Sequence, residues 1–111
     1  MRRLKGKKQI GLLFEEGRSV NAFPFRVIFS KSSETMIGVS VSKRNFKLAI
    51  HRNKIKRQMR AALKLHFWPT LSKLSTKYVV MMIYTGKEKP EWNQILIKVK
   101  EAVNKFKQKV S

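Results

Sequence analysis

The stretch AIHRNKIKRQMRAALK, Ala49 to Lys64, reads as one amphipathic helix that runs on to about His66. Ile55, Met59, Ala62, Leu63 and His66 fall at the i, i+4, i+7, i+8 and i+11 positions of one apolar stripe. Asn53, Lys54, Lys56, Arg57, Arg60 and Lys64 sweep an arc of roughly 160° on the other side at about 100° per residue. Arg52 lies at the flank of that arc, near the helix start. From Thr35 to Lys87 there is no Asp or Glu. A helix so one-sidedly charged repels itself, and its sequence makes sense when a polyanion supplies the counter-charge. One face therefore belongs to a core and the other to a partner, with RNA or DNA the obvious kind.

The rest of the fold is read outward from this helix. Pro69 ends it or closely follows its end. Tyr78 to Tyr84, YVVMMIY, is nearly continuous in apolar residues, the pattern of a strand buried on both faces and therefore central in its sheet. After a turn from Gly86 to Pro90, a last helix runs from near Pro90 toward Lys109. Its core stripe is Trp92, Ile95, Leu96, Val99, Ala102, Val103 and Phe106. On the N-terminal side, Lys43 to Lys47 is a basic connection preceded by a strand over Met36 to Ser42, where Ile37, Val39 and Val41 alternate with Gly38, Ser40 and Ser42. Ala22 to Ser30 also alternates, with Phe23, Phe25, Val27 and Phe29 on one side and Arg26 and Ile28 on the other. Pro24 places that strand at an edge or at its beginning. Lys7 to Glu16 forms a short helix with Ile10, Leu13 and Phe14 on one face, weakened by Gly6 and Gly11 and stopped by Gly17. The order α, β, β, α, β, α, with room for a third early strand, predicts an α+β sandwich with helices packed on a mixed sheet.

Composition narrows the function. At 111 residues the chain is expected to form one domain, residues 1–111, with a single core. Its 42% hydrophobic residues are those of a folding sequence rather than a disordered basic tail. A net charge of +20 is far outside the range of an ordinary domain of this size. The absence of Cys excludes disulfides, thiolate catalysis and Cys-bound zinc, and suits a reducing cytoplasm. The basic start MRRLKGKK is not followed by the apolar run of a signal peptide, and no stretch is long and apolar enough to span a membrane, so a cytoplasmic location is expected. No lipidation motif or basic amphipathic tail points to a membrane surface. Asp is absent, and of the six Glu only Glu15 and Glu16 are close in sequence. Those two point about 100° apart on a helix, poorly placed to share a metal. His51 and His66 have no nearby carboxylate to orient them. No catalytic residue and no metal site is expected in the protein itself.

The stretch Val39-Ser40-Val41-Ser42-Lys43-Arg44, followed by Arg52-Asn53-Lys54-Ile55-Lys56-Arg57 and Arg60, resembles the protein component of bacterial ribonuclease P. That family is marked by a strand ending in SVSK-type sequence, then an Arg-Asn-Arg helix continuing into Ile/Val-Lys-Arg and a further Arg. The likeness covers nearly the whole chain, including an N-terminal helix that ends with Phe14 and Gly17. Lys54 stands where the family has its third Arg, keeping the charge but losing the guanidinium fork. The connection Asn45-Phe46-Lys47-Leu48 lacks a glycine that many members carry and is one residue longer. Ile10 stands where the family has a second aromatic.

The resemblance implies a left-handed β-α-β crossover, like a domain of a small-subunit ribosomal protein, a handedness that the general rule for crossovers would not give. It implies that a catalytic RNA with bound Mg²⁺ cleaves precursor tRNA to leave the mature 5′ end. The protein would bind that RNA through Lys43, Arg44, Arg52, Asn53, Lys54, Lys56, Arg57 and Arg60. It would hold the 5′ leader through Ile10, Phe14, Arg26 and Ile28. If Phe23, Phe25 and Phe29 make the core, the Arg26–Ile28 face is free for single-stranded RNA. A ribosomal or other rRNA-binding protein is the nearest rival, separated only by the motif's spacing. A DNA-binding role is weaker, because no short helix precedes the basic one and the base-reading pattern is missing. A protein-only nuclease is weakest, given no Asp and no paired Glu.

Overall fold

Apolar YVVMMIY becomes the third hydrogen-bonded position of a four-stranded sheet. The computed structural model describes residues 2–4 and 7–110, so Gly6 lies outside the described residues. The elements are α1 (Lys7–Glu16), β1 (Arg18–Ala22), β2 (Phe25–Lys31), β3 (Met36–Val41), α2 (Ala49–His66), α3 (Trp68–Lys73), β4 (Tyr78–Tyr84) and α4 (Trp92–Val110). The sheet order is β1-β2-β4-β3. β4 pairs antiparallel with β2 and parallel with β3. The parallel pair is joined by a crossover through α2 and α3, which makes the sheet mixed, as expected.

Both faces of β4 are covered, which is why its side chains alternate in face but not in polarity. On one face Tyr78, Val80, Met82 and Tyr84 join the main core with Phe25, Val27 and Phe29 of β2, Ile55, Met59, Ala62 and Leu63 of α2, and Ile95, Val99, Val103 and Phe106 of α4. On the other face Val79 and Met81 join Ile28, Met36, Leu4 and Leu13 in a second, smaller core. The sheet is thus sandwiched between α2 and α4 on one side and α1 on the other.

Several expectations are corrected. The strand expected over Ala22 to Ser30 begins only at Phe25, and the third early strand is Arg18–Ala22, which pairs antiparallel with Phe25–Lys31 around a turn at Phe23 and Pro24, whose peptide bond is cis. The turn breaks the alternation, so Phe23 is 74% exposed rather than inward. RSVNA hid as a strand because only Val20 and Ala22 of it face the core. Pro69 closely follows the end of α2, as expected, and stands in the first turn of the separate short helix α3, where its missing N–H costs nothing. Trp92 is exposed at the start of α4 and His66 is half-buried, so each lies at the margin of its stripe.

Gly17 follows the last residue of α1, and its N–H donates to the Leu13 carbonyl at 2.8 Å. A Cβ here would collide with that carbonyl and come within 2.6 Å of the Ile28 Cγ2 methyl. The residue is therefore glycine because helix and sheet approach closely. At the far edge, residues 2–4 run beside β3: Leu4 N–H donates to Ile37 O and Ile37 N–H to Arg2 O, each at 2.9 Å. This brief pairing covers an otherwise open strand edge.

Candidate nucleic-acid interface

α2 carries the charge. Its apolar stripe, Ile55, Met59, Ala62 and Leu63, is buried against the sheet and α4, which fixes the orientation of everything else on the helix. The opposite side shows Asn53, Lys54, Arg57 and Lys64 exposed, with Lys56 and Arg60 half-buried at the margins. Among the described residues the ion pairs are Arg2–Glu34 at 3.3 Å and Lys98–Glu101 at 3.4 Å, and neither involves α2. The cationic face is thus uncompensated within the fold, so a bound polyanion gains the whole attraction.

Ile50, Asn53, Arg57 and Arg60 line an open trough of about 650 Å³ along the helix. Their spacing of three, four and three residues puts them in one row. Ile50, 69% exposed among cations, is the member that charge counting overlooked. An exposed aliphatic there can pack against a ribose or base edge while the guanidiniums take phosphates.

Arg60 meets a further cation. Arg3, Arg60, Leu4, Val39 and Leu63 line a notch of about 150 Å³ between the N-terminal segment and α2. Burial, and then the Arg3 guanidinium, draw Arg60 below its ordinary value, while an arginine remains charged. Arg3 lies 57 positions from Arg60, a proximity created by the pairing of residues 2–4 with β3, so no local pattern could signal it.

Lys43 and Arg44 are exposed on the connection from β3, where the Arg44 N–H donates to Ser42 Oγ at 3.2 Å. Arg52 differs from the rest of the face. Its Nη1 donates to the carbonyls of Phe46 and Lys47, both at 2.8 Å, and so ties the connection to the helix. Arg52, expected among the residues that meet the RNA, is thus committed in part within the fold. Arg52→Ala is expected to cost about 1–2 kcal/mol of stability, measurable by urea denaturation, whereas Arg57→Ala should be close to neutral. Equal effects of the two changes on stability would remove the tethering role. Asn53 sits in the second turn of α2, whose N-cap residue, Leu48, makes no side-chain cap, so Asn53 does not serve as one.

The residues expected to meet a leader divide. Leu13 takes the core position of α1 at 2% exposure, which leaves Phe14 52% exposed and Ile10 half-buried. Arg26 is exposed on β2. Ile28, by contrast, is 4% exposed and packed with Leu13, Met36 and Met81. The expected free Arg26–Ile28 face is therefore corrected: α1 covers it at Ile28 and leaves it open at Arg26. Arg26 pairs with Ile83 of β4, which pairs with Ser40 of β3, so a row with Arg26 exposed and Ile83 and Ser40 half-buried crosses three strands one step beyond the covered patch.

Known proteins resemble this chain in sequence and in fold. The family model described as Ribonuclease P matches residues 1–107. A ribonuclease P protein component from Porphyromonas gingivalis is 35% identical over 69 residues, covering 58% of this chain and 50% of that protein. The chain spans about half the length of the curated relatives it matches. Among solved structures, an RNase P protein from Staphylococcus aureus superposes with a TM-score of 0.79 at 23% identity, over 96% of each chain. The RNase P protein from Thermotoga maritima gives a TM-score of 0.70 at 22% identity, over 100% of this chain and 99% of that one. These two likenesses establish the shared fold.

Proposed function

This chain belongs to the ribonuclease P protein family, and from that membership we propose that it is the protein subunit of a tRNA-processing ribonucleoprotein in the cytoplasm. The reading rests on one observation above others: among the described residues the basic face of α2 has no carboxylate partner, and it presents Ile50, Asn53, Arg57 and Arg60 in a single trough. The catalytic RNA is the partner for that face and for Lys43, Arg44, Lys54, Lys56 and Lys64. The precursor tRNA leader passes Phe14, Ile10 and Arg26, with Ile83 in place of the buried Ile28. Mg²⁺ is assigned to the RNA, where it supplies charge stabilisation at the scissile phosphate. Among the described residues no three His, Cys, Asp or Glu side chains come together as a cage for it. This chain's part is to bind and orient.

Reconstitution tests the reading. Mixed with a bacterial ribonuclease P RNA and a precursor tRNA at low Mg²⁺, the protein should restore 5′ cleavage that the RNA alone performs poorly. No binding to that RNA and no gain in cleavage would overturn it.

Phe14 tests the leader surface separately. Stacking of an unpaired base on an aromatic ring is worth about 1–3 kcal/mol and tolerates any sequence, as a variable leader requires. Phe14→Ala should weaken binding of leader-bearing precursor tRNA by that amount and leave mature tRNA and catalytic RNA affinities unchanged. A large fall in melting temperature with parallel loss of all three affinities would instead make Phe14 a packing residue.

A further inference from the structure

The β1–β2 turn, the loop after β4 and the first turns of α4 enclose a groove of about 660 Å³ at the sheet end nearest the start of α2. Phe23, Pro24 and Ile97 supply apolar wall, and the rim carries Lys87 and Lys89 with Glu88 between them: Phe23 is 74% and Ile97 64% exposed, and all three charged residues are exposed on the loop. Lys98, also at the rim, is engaged by Glu101, whereas Lys87 and Lys89 make no ion pair among the described residues.

The groove is held in shape. Thr85 binds the turn through its N–H and Oγ1, which donate to Pro24 O at 2.8 and 3.0 Å. Tyr84 lies beneath, with its hydroxyl donating to Glu88 O at 2.5 Å. Burial, and then the Glu88 carboxylate, hold that phenol above its ordinary value, so it stays a neutral donor. Gly86 presses on the same ring, where a Cβ would come within 2.5 Å of the hydroxyl oxygen.

The groove is also continuous with the basic connection into α2. Asn45 Nδ2 donates to Gly86 O at 3.2 Å, and the Phe46 and Tyr84 rings lie 6.0 Å apart. The connection that carries Lys43, Arg44 and Lys47 therefore meets the groove at Asn45 and Phe46.

We propose that this groove binds an unpaired nucleotide of the catalytic RNA, its base against Phe23 and Ile97 and its flanking phosphates on Lys87 and Lys89. The inference rests on the function proposed above and extends its RNA surface from α2 around the end of the sheet. Charge selects the occupant. A slot with apolar wall, whose rim carries Lys87 and Lys89 against the single carboxylate of Glu88, on a chain of net charge +20, suits a base carrying phosphates. The leader surface at Phe14 lies on the opposite face of the sheet, which favours the catalytic RNA over the leader.

The test measures affinity of the full-length protein for ribonuclease P RNA, and for precursor tRNA with and without its leader. Phe23→Ala should weaken catalytic RNA binding about tenfold, and Phe23→Trp should restore it, since stacking tolerates any aromatic face. Lys87→Ala and Lys89→Ala should each flatten the salt dependence of log K by about 0.7, the value for one phosphate of a single strand. Unchanged affinity in Phe23→Ala overturns the inference, as does a loss confined to leader-bearing tRNA or equal loss in Phe23→Trp. If the wild-type protein itself does not bind ribonuclease P RNA, the proposed function fails and this inference with it. Normal wild-type and Phe23→Ala binding removes the groove alone.

Discussion

An Arg57→Ala, Arg60→Ala double variant is expected to bind the catalytic RNA about 2–4 kcal/mol more weakly than the wild type, because two charge-assisted hydrogen bonds to phosphate are removed together. The two side chains are three residues apart in one trough, so their effects couple and the sum of the single losses need not hold. Salt dependence should flatten in the same experiment, by roughly 0.7–0.9 per phosphate no longer neutralised. Folding stability should change by less than about 1 kcal/mol, because Arg57 is exposed and Arg60 only half-buried. Normal affinity in moderate salt would reject α2 as the RNA-binding element.

Phe106→Ala carries the largest expected cost in stability, about 3–5 kcal/mol, against the 5–15 kcal/mol or so that holds a typical domain folded. The ring is fully buried, with centroids 4.8 Å from Phe29, 5.1 Å from Phe67 and 5.5 Å from Tyr78. It therefore links α4 to β2, β4 and the α2–α3 joint, and its removal leaves a cavity bounded by four elements. Urea denaturation checks this, and a loss below about 1 kcal/mol would mean the cluster collapses to fill the space. The variant should regain much of its stability with RNA present, since a ligand that binds only the folded state shifts the equilibrium toward it.

How far the sequence could be read follows the range of the interactions involved. α2 and β4 were legible to the residue because each is decided by a local period: Ile55, Met59, Ala62 and Leu63 at helical spacing, and an unbroken apolar run at Tyr78–Tyr84. β1 could be allowed for as a third early strand but not located, since RSVNA owes its strand state to pairing with β2 rather than to its own side chains. Phe23 was misplaced because a turn at Pro24 resets the alternation that assigned it to the core.

The site divides in the same way. Sequence alone determined that one helix face is cationic and unopposed, that the chain lacks the carboxylates of a protein nuclease, and that its motif is of ribonuclease P type, because each is a property of neighbouring residues or of composition. Tertiary structure decided which side chains are available. It committed Arg52 to the carbonyls of Phe46 and Lys47, buried Ile28 beneath α1, brought Arg3 to Arg60, and set Phe23 opposite Ile97 across a groove. Each of these joins elements distant in the chain or turns on a packing contact, and no periodicity encodes which face of a strand a neighbouring helix will cover.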